Sequence, residues 1–146
     1  MNRPIKYEAW VPDANEMHTV EAIHFDGNGD VESVDFGEAV QWSEEDGGSG
    51  FSRPGSMVIL RQFTGLTDKN GKEIYEGDIV QTWGEYDHGS DVPSETFEEA
   101  MPIIFNDGQW WWGDGIGNSC PLNEFDDPEY IEVIGNIHQN PELLTK

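Results

Sequence analysis

The sequence predicts a mainly β protein, with an N-terminal hairpin sheet, a second β-rich lobe and few short helices. Short runs that alternate apolar and polar residues recur along the chain, separated by clusters of Gly, Asn, Asp and Pro. That is the pattern of strands joined by turns. No internal repeat and no long amphipathic helix competes with it. The sharpest local signal is LRQFTGLTDKNGKEIYEGDIV at residues 60–80, where Asp68-Lys69-Asn70-Gly71 lies between apolar runs. Asn-Gly is a strong hairpin signal because both residues tolerate positive backbone dihedrals.

The elements follow in order. Ile5, Tyr7 and Ala9 alternate with Lys6, Glu8 and Trp10, the period of a short half-buried strand. Residues 19–25 and 31–36 are β-type runs joined by Asp26-Gly27-Asn28-Gly29-Asp30, which fits a hairpin. Residues 44–50, charged and glycine-rich, read as an exposed loop or lobe boundary. Residues 1–146 are thus one domain with sub-lobes at 1–50 and 57–146. After the 60–80 hairpin, Gly77 stands where a bulge or sharp bend would re-aim the chain into a strand running to Trp83. Residues 84–95 show no apolar period and read as a long loop. Residues 101–105 and 109–112 flank Asn106-Asp107-Gly108, so a further hairpin is expected, with Trp110 and Trp112 on one face and Trp111 on the other. A helical turn at 123–127, a strand at 130–137 and a final helical turn at 142–145 complete the chain. The Gly77-Asp78-Ile79-Val80 strand entry followed by hairpins is similar to a small SH3-like barrel, the architecture expected of the second lobe.

The 146 residues are enough to bury roughly two-thirds of the unfolded surface. No stretch approaches the roughly 18 apolar residues of a membrane span, and residues 1–11 lack the apolar segment of a secretory signal. A cytoplasmic protein is the expectation. Cys120 is the single cysteine, which rules out an intrachain disulfide or a cysteine-cluster zinc site and suits a reducing compartment.

Charge is the second strong feature: 30 acidic residues against 7 basic ones give a formal net charge of −23. Between Lys72 and Lys146 there is no Lys or Arg, while 17 acids fall in that interval. Such a surface repels phosphates, which disfavours direct DNA or RNA binding. Its plainest consequence is solubility. Its functional consequence is attraction toward a partner protein with a basic surface.

No catalytic constellation emerges. Asp26, Asn28 and Asp30 match positions 1, 3 and 5 of a calcium loop, but Val31 replaces the glycine and Gly37 the final glutamate. His18, His24, His88 and His138 lack zinc-pair spacing. Glu124, Asp126, Asp127 and Glu129 read as a solvated charge run rather than tuned acids. Gly113-Asp114-Gly115-Ile116-Gly117 lacks the spacing, the lysine and the helix of a phosphate loop. Catalytic, metal and cofactor residues are therefore assigned to none. The candidate interaction surface is Glu98, Glu99, Asp126 and Asp127, with Trp111 as the aromatic left facing away from its two neighbours.

TGLTDKNGKEIYEGDIV at 64–80, with IKYEAW at 5–10 and YIEVIGNIHQNPELL at 130–144, resembles the YopX family of small phage and prophage proteins. The resemblance implies a compact, β-rich intracellular domain encoded on mobile elements, with no assigned biochemical role. Three functions follow as expectations. The first is an accessory protein acting by protein–protein binding, not an enzyme, with self-association left open. The second is an acidic nucleic-acid mimic that occupies the basic cleft of a host protein. The third is a carboxylate and metal enzyme on a small substrate.

Overall fold

The computed structural model describes residues 5–41, 49–86, 95–106, 108–113, 119–121 and 128–144. Its strands are β1 Tyr7–Val11, β2 Glu16–Phe25, β3 Val31–Gln41, β4 Ser49–Pro54, β5 Ile59–Thr67, β6 Glu73–Tyr75, β7 Asp78–Tyr86, β8 Glu95–Asn106, β9 Gln109–Gly113, β10 Ser119–Pro121 and β11 Ile131–Asn136. Helical structure among these residues is limited to 3-10 turns at Gly55–Met57, Pro128–Tyr130 and Pro141–Leu144. The protein is therefore mainly β. Its two antiparallel sheets have the orders β4-β3-β2-β1-β5-β6 and β10-β9-β8-β7-β11. The chain divides inside β5 into two compact units, Met1–Phe63 and Thr64–Lys146.

In the first unit, alternation along β1 sends Ala9 and Val11 into a core shared with Val34, Phe36 and Val40. Trp10, on the other face of β1, is also buried. Opposite Glu8 in the register lies Arg61, whose Nε donates to the Glu8 carboxylate at 3.0 Å. The β2–β3 hairpin turns at Asp26, whose Oδ1 accepts the amides of Asn28 and Asp30 at 2.8 and 3.1 Å. That segment is a hairpin turn, with the carboxylate spent on the backbone.

In the second unit, Ile74, Val80, Ile103, Trp112, Ile131 and Val133 form the core. The Trp112 indole N–H donates to the Val80 carbonyl at 2.8 Å, so the buried ring keeps its polar atom satisfied. The loop between β5 and β6 closes with the Asp68 amide on the Lys72 carbonyl (2.9 Å) and the Gly71 amide on the Asp68 carbonyl (3.0 Å). Only Gly71 in this loop has positive φ, at 77°. A type I turn with one left-handed glycine accounts for this, in place of the two positive dihedrals expected at Asn70 and Gly71. Gly77 has φ 83°, and its amide and carbonyl bond Ile103 and Ile137 at 2.8 and 2.9 Å. Here the chain turns the corner from β6 into β7, where the buried Asp78 carboxylate accepts the Tyr75 amide at 2.8 Å.

The second sheet departs from the expected SH3-like barrel. Its described strands make an open sheet with β10 and β11 at its edges. β10 is three residues long and ends at Pro121, which has no amide to extend a ladder. The outer edge of β11 is occupied by the Asp68 turn: the Lys69 amide donates to the Ile131 carbonyl (3.0 Å), and the Val133 amide to Asp68 Oδ2 (2.9 Å). Of the stretch 84–95 read as a long loop, residues 84–86 and 95 belong to strands, and 87–94 lie outside the described residues. β7 and β8 stay paired out to Tyr86 and Glu95, because their ladder continues beyond the alternating apolar run. Of the stretch 44–50 read above as an exposed loop, residues 49 and 50 begin β4 and 44–48 lie outside the described residues, as do residues 123–127, read as a helical turn.

Candidate functional site

Register assigns the faces of the second sheet, since directly opposed residues on antiparallel strands share a side. Val80 faces Met101, Thr82 faces Glu99, Ile103 faces Trp112 and Phe105 faces Trp110. These are the core side. Gln81 with Ala100, Trp83 with Glu98, and Ile104 with Trp111 belong to the other. The Trp triplet therefore splits as its spacing requires.

The candidate surface does not gather into one patch. Glu98 is exposed, whereas Glu99 is half-buried on the opposite face of the same strand. Trp111 shares the face of Glu98. It sits opposite Ile104, and six strand residues at about 3.3 Å each separate the two by roughly 20 Å. Its indole N–H donates to the Asn106 carbonyl at 2.9 Å, within its own hairpin. Asp126 and Asp127 lie outside the described residues.

Two arrangements on this sheet were not legible as sites in the sequence. On the Glu98 side, the Lys69 ammonium is 2.8 Å from Glu132 Oε2 and 4.6 Å from the centre of the Trp83 ring. A loop cation thus bridges a carboxylate and an indole on two strands. Near the β8–β9 turn, Phe105 and Trp110 meet edge to face at 4.9 Å. Phe105 remains 54% exposed despite lying on the core side.

The first unit holds the histidine contacts. The His18 ring is nearly buried, with Nδ1 2.7 Å from Glu38 Oε1 and Nε2 2.6 Å from Glu16 Oε2. It lies 5.6 Å from the Phe36 ring. The two carboxylates approach opposite ring nitrogens and so do not converge on one ion. Glu38 is 20 residues from His18 and arrives through β2–β3 pairing, which no short-range spacing announces. His24 Nε2 is 2.8 Å from Asp35 Oδ2 in an exposed cross-strand pair. Among the described residues, no group of three or more His, Cys, Asp or Glu is arranged to hold a metal ion. Cys120 is half-buried against the core of the second unit.

The blocks that carry the family resemblance meet as structural partners. Asp68 binds β11, and β7 pairs with β11 from Thr82–Ile131 to Asp78–Asn136. The architecture defines a mainly β protein whose distinctive loop secures a distant strand edge. The family model described as YopX protein matches residues 6–145, and the chain belongs to the YopX family. Among solved structures, protein EF1440 from Enterococcus faecalis is similar at TM-score 0.67 and 27% identity, covering 98% of this chain and 99% of that one. Protein yopX from Bacillus subtilis aligns at TM-score 0.54 and 21% identity, over 95% of this chain and 97% of that one, a likeness of fold. The chain matches none of the curated proteins.

Proposed function

We infer that the chain is a phage or prophage accessory protein of the bacterial cytoplasm, acting by binding a protein with a basic surface and not by catalysis. The observation that carries this reading is the charge segregation: the chain between Lys72 and Lys146 has no Lys or Arg and 17 acids. Exposed Glu98 places part of that charge in solvent on the second sheet. Such a field speeds encounter with a cationic partner more than it slows separation. Nucleic-acid mimicry asks for more, a continuous file of carboxylates on one face. Glu98 and Glu99 point to opposite faces and do not supply it. No helix among the described residues is long and apolar enough to cross a membrane.

The test starts from the host protein recovered with this chain as bait. Charge reversal at Glu98, and at Asp126 with Asp127, should slow association more than it speeds dissociation. Reversal at Glu44 and Glu45 should matter less. Binding that is equally tight at low and high salt would remove the acidic field from the explanation.

A further inference from the structure

We propose that the tip of the β8–β9 hairpin, formed by Phe105 and Trp110 with Trp111 on the reverse side, is the docking point for an arginine-bearing segment of a basic protein. The inference rests on the reading above and gives it a location. Singly exposed hydrophobic side chains are ordinary on protein surfaces. Phe105 is not single: at 54% exposure it is held edge-on against half-buried Trp110, with centroids 4.9 Å apart. On the opposite face of the hairpin, Trp111 has its indole N–H fixed to the Asn106 carbonyl at 2.9 Å. Rigid aromatic rings lose little entropy when a partner covers them, which makes them good anchors.

Charge selects the occupant. The hairpin lies inside the interval that has no Lys or Arg, in a chain of net charge −23. A second copy would bring the same negative charge to the tip, whereas a basic segment is drawn to it. Arginine fits the rings better than lysine does, because its planar, weakly hydrated guanidinium stacks on an aromatic face.

The test is a tryptophan-fluorescence titration of the full chain with oligoarginine and with oligolysine of equal length, at low and moderate salt. The variants are F105S, F105L and, as a control in the first unit, F25S at a residue that is 60% exposed. Oligoarginine should bind wild type more tightly than oligolysine, F105S should weaken it about tenfold, and F25S should not. F105L should lose the preference for arginine while keeping its melting midpoint. Wild-type affinity in F105S would overturn the tip as the docking point while leaving the acidic-field reading standing. Salt-insensitive binding by wild type would overturn the acidic-field reading itself. Wild-type arginine preference in F105L would overturn stacking on the Phe105 ring, and a wild-type dimer abolished by F105S would overturn the assigned occupant.

Discussion

The loops at Asp26-Gly27-Asn28-Gly29-Asp30 and Asp68-Lys69-Asn70-Gly71-Lys72 have the same backbone construction and different roles. In each, the first Asp amide donates to the carbonyl four residues on, at 2.9 Å, and the fourth-position Gly amide returns to the Asp carbonyl. In each, one Asp oxygen accepts the amides of the third and fifth residues. Asp26 ends its work there, exposed to solvent. Asp68 is 3% exposed, and its second oxygen accepts the Val133 amide from 65 residues away. The same five-residue device makes a hairpin in one unit, while in the other it also completes the edge of a sheet. Covering an exposed strand edge is a recurrent need of β proteins, and here a side-chain carboxylate stands in for part of a missing strand.

The largest effect should separate the two aspartates. Asp68→Ala removes the acceptor of two loop amides and leaves the Val133 amide without its partner. We expect a loss of about 3 kcal/mol in urea unfolding, since an orphaned buried donor adds its desolvation cost to the lost bonds. Asp26→Ala touches only solvent-exposed turn amides and should cost about 1 kcal/mol or less. Equal losses would mean that the β11 contact adds nothing beyond the turn.

This contrast also marks what the sequence disclosed. Both loops, the left-handed Gly77 and the facing of Trp110, Trp111 and Trp112 were readable because each depends on neighbours within a few residues. The second bond of Asp68 was not, because no local pattern names Val133. Closure of a barrel is hidden in the sequence for the same reason: it depends on what flanks β10 and β11, not on their own residues. Glu98 and Glu99 show a subtler failure. Adjacent strand residues point to opposite faces, but TFEEA at 96–100 has no alternation to mark a strand, so the sequence alone groups the two carboxylates on one surface.

An intermediate effect should unite the two loops. Gly29 and Gly71 have φ 88° and 77°, and a Cβ added at either would meet nothing within 4 Å. Alanine at each should therefore cost only the left-handed penalty, about 1 to 2 kcal/mol. Matching losses in paired melting experiments would show that the turn itself is equally demanding in both units. A loss at Gly71 several times that at Gly29 would instead reveal coupling between loop closure and the strand edge.

The smallest effect lies at the second position, where the loops differ in residue and in surroundings. Gly27 has ordinary φ and open space around it, so Gly27→Ala should stabilise by about 0.5 kcal/mol through a less disordered unfolded chain. Lys69 is engaged, with its ammonium on Glu132 and above Trp83. Lys69→Ala should cost about 1 kcal/mol, because the partly exposed ion pair is weak and the ring contact adds a similar amount. Salt divides those two contributions, since it screens the Glu132 attraction while leaving the packing of the lysine stem over the indole. The cost of Lys69→Ala should accordingly shrink in high salt without vanishing, while the gain at Gly27 stays constant. A Lys69→Ala cost that disappeared entirely with salt would assign the whole contact to Glu132, leaving Asp68 and the Lys69 backbone as the only strong links between this loop and β11.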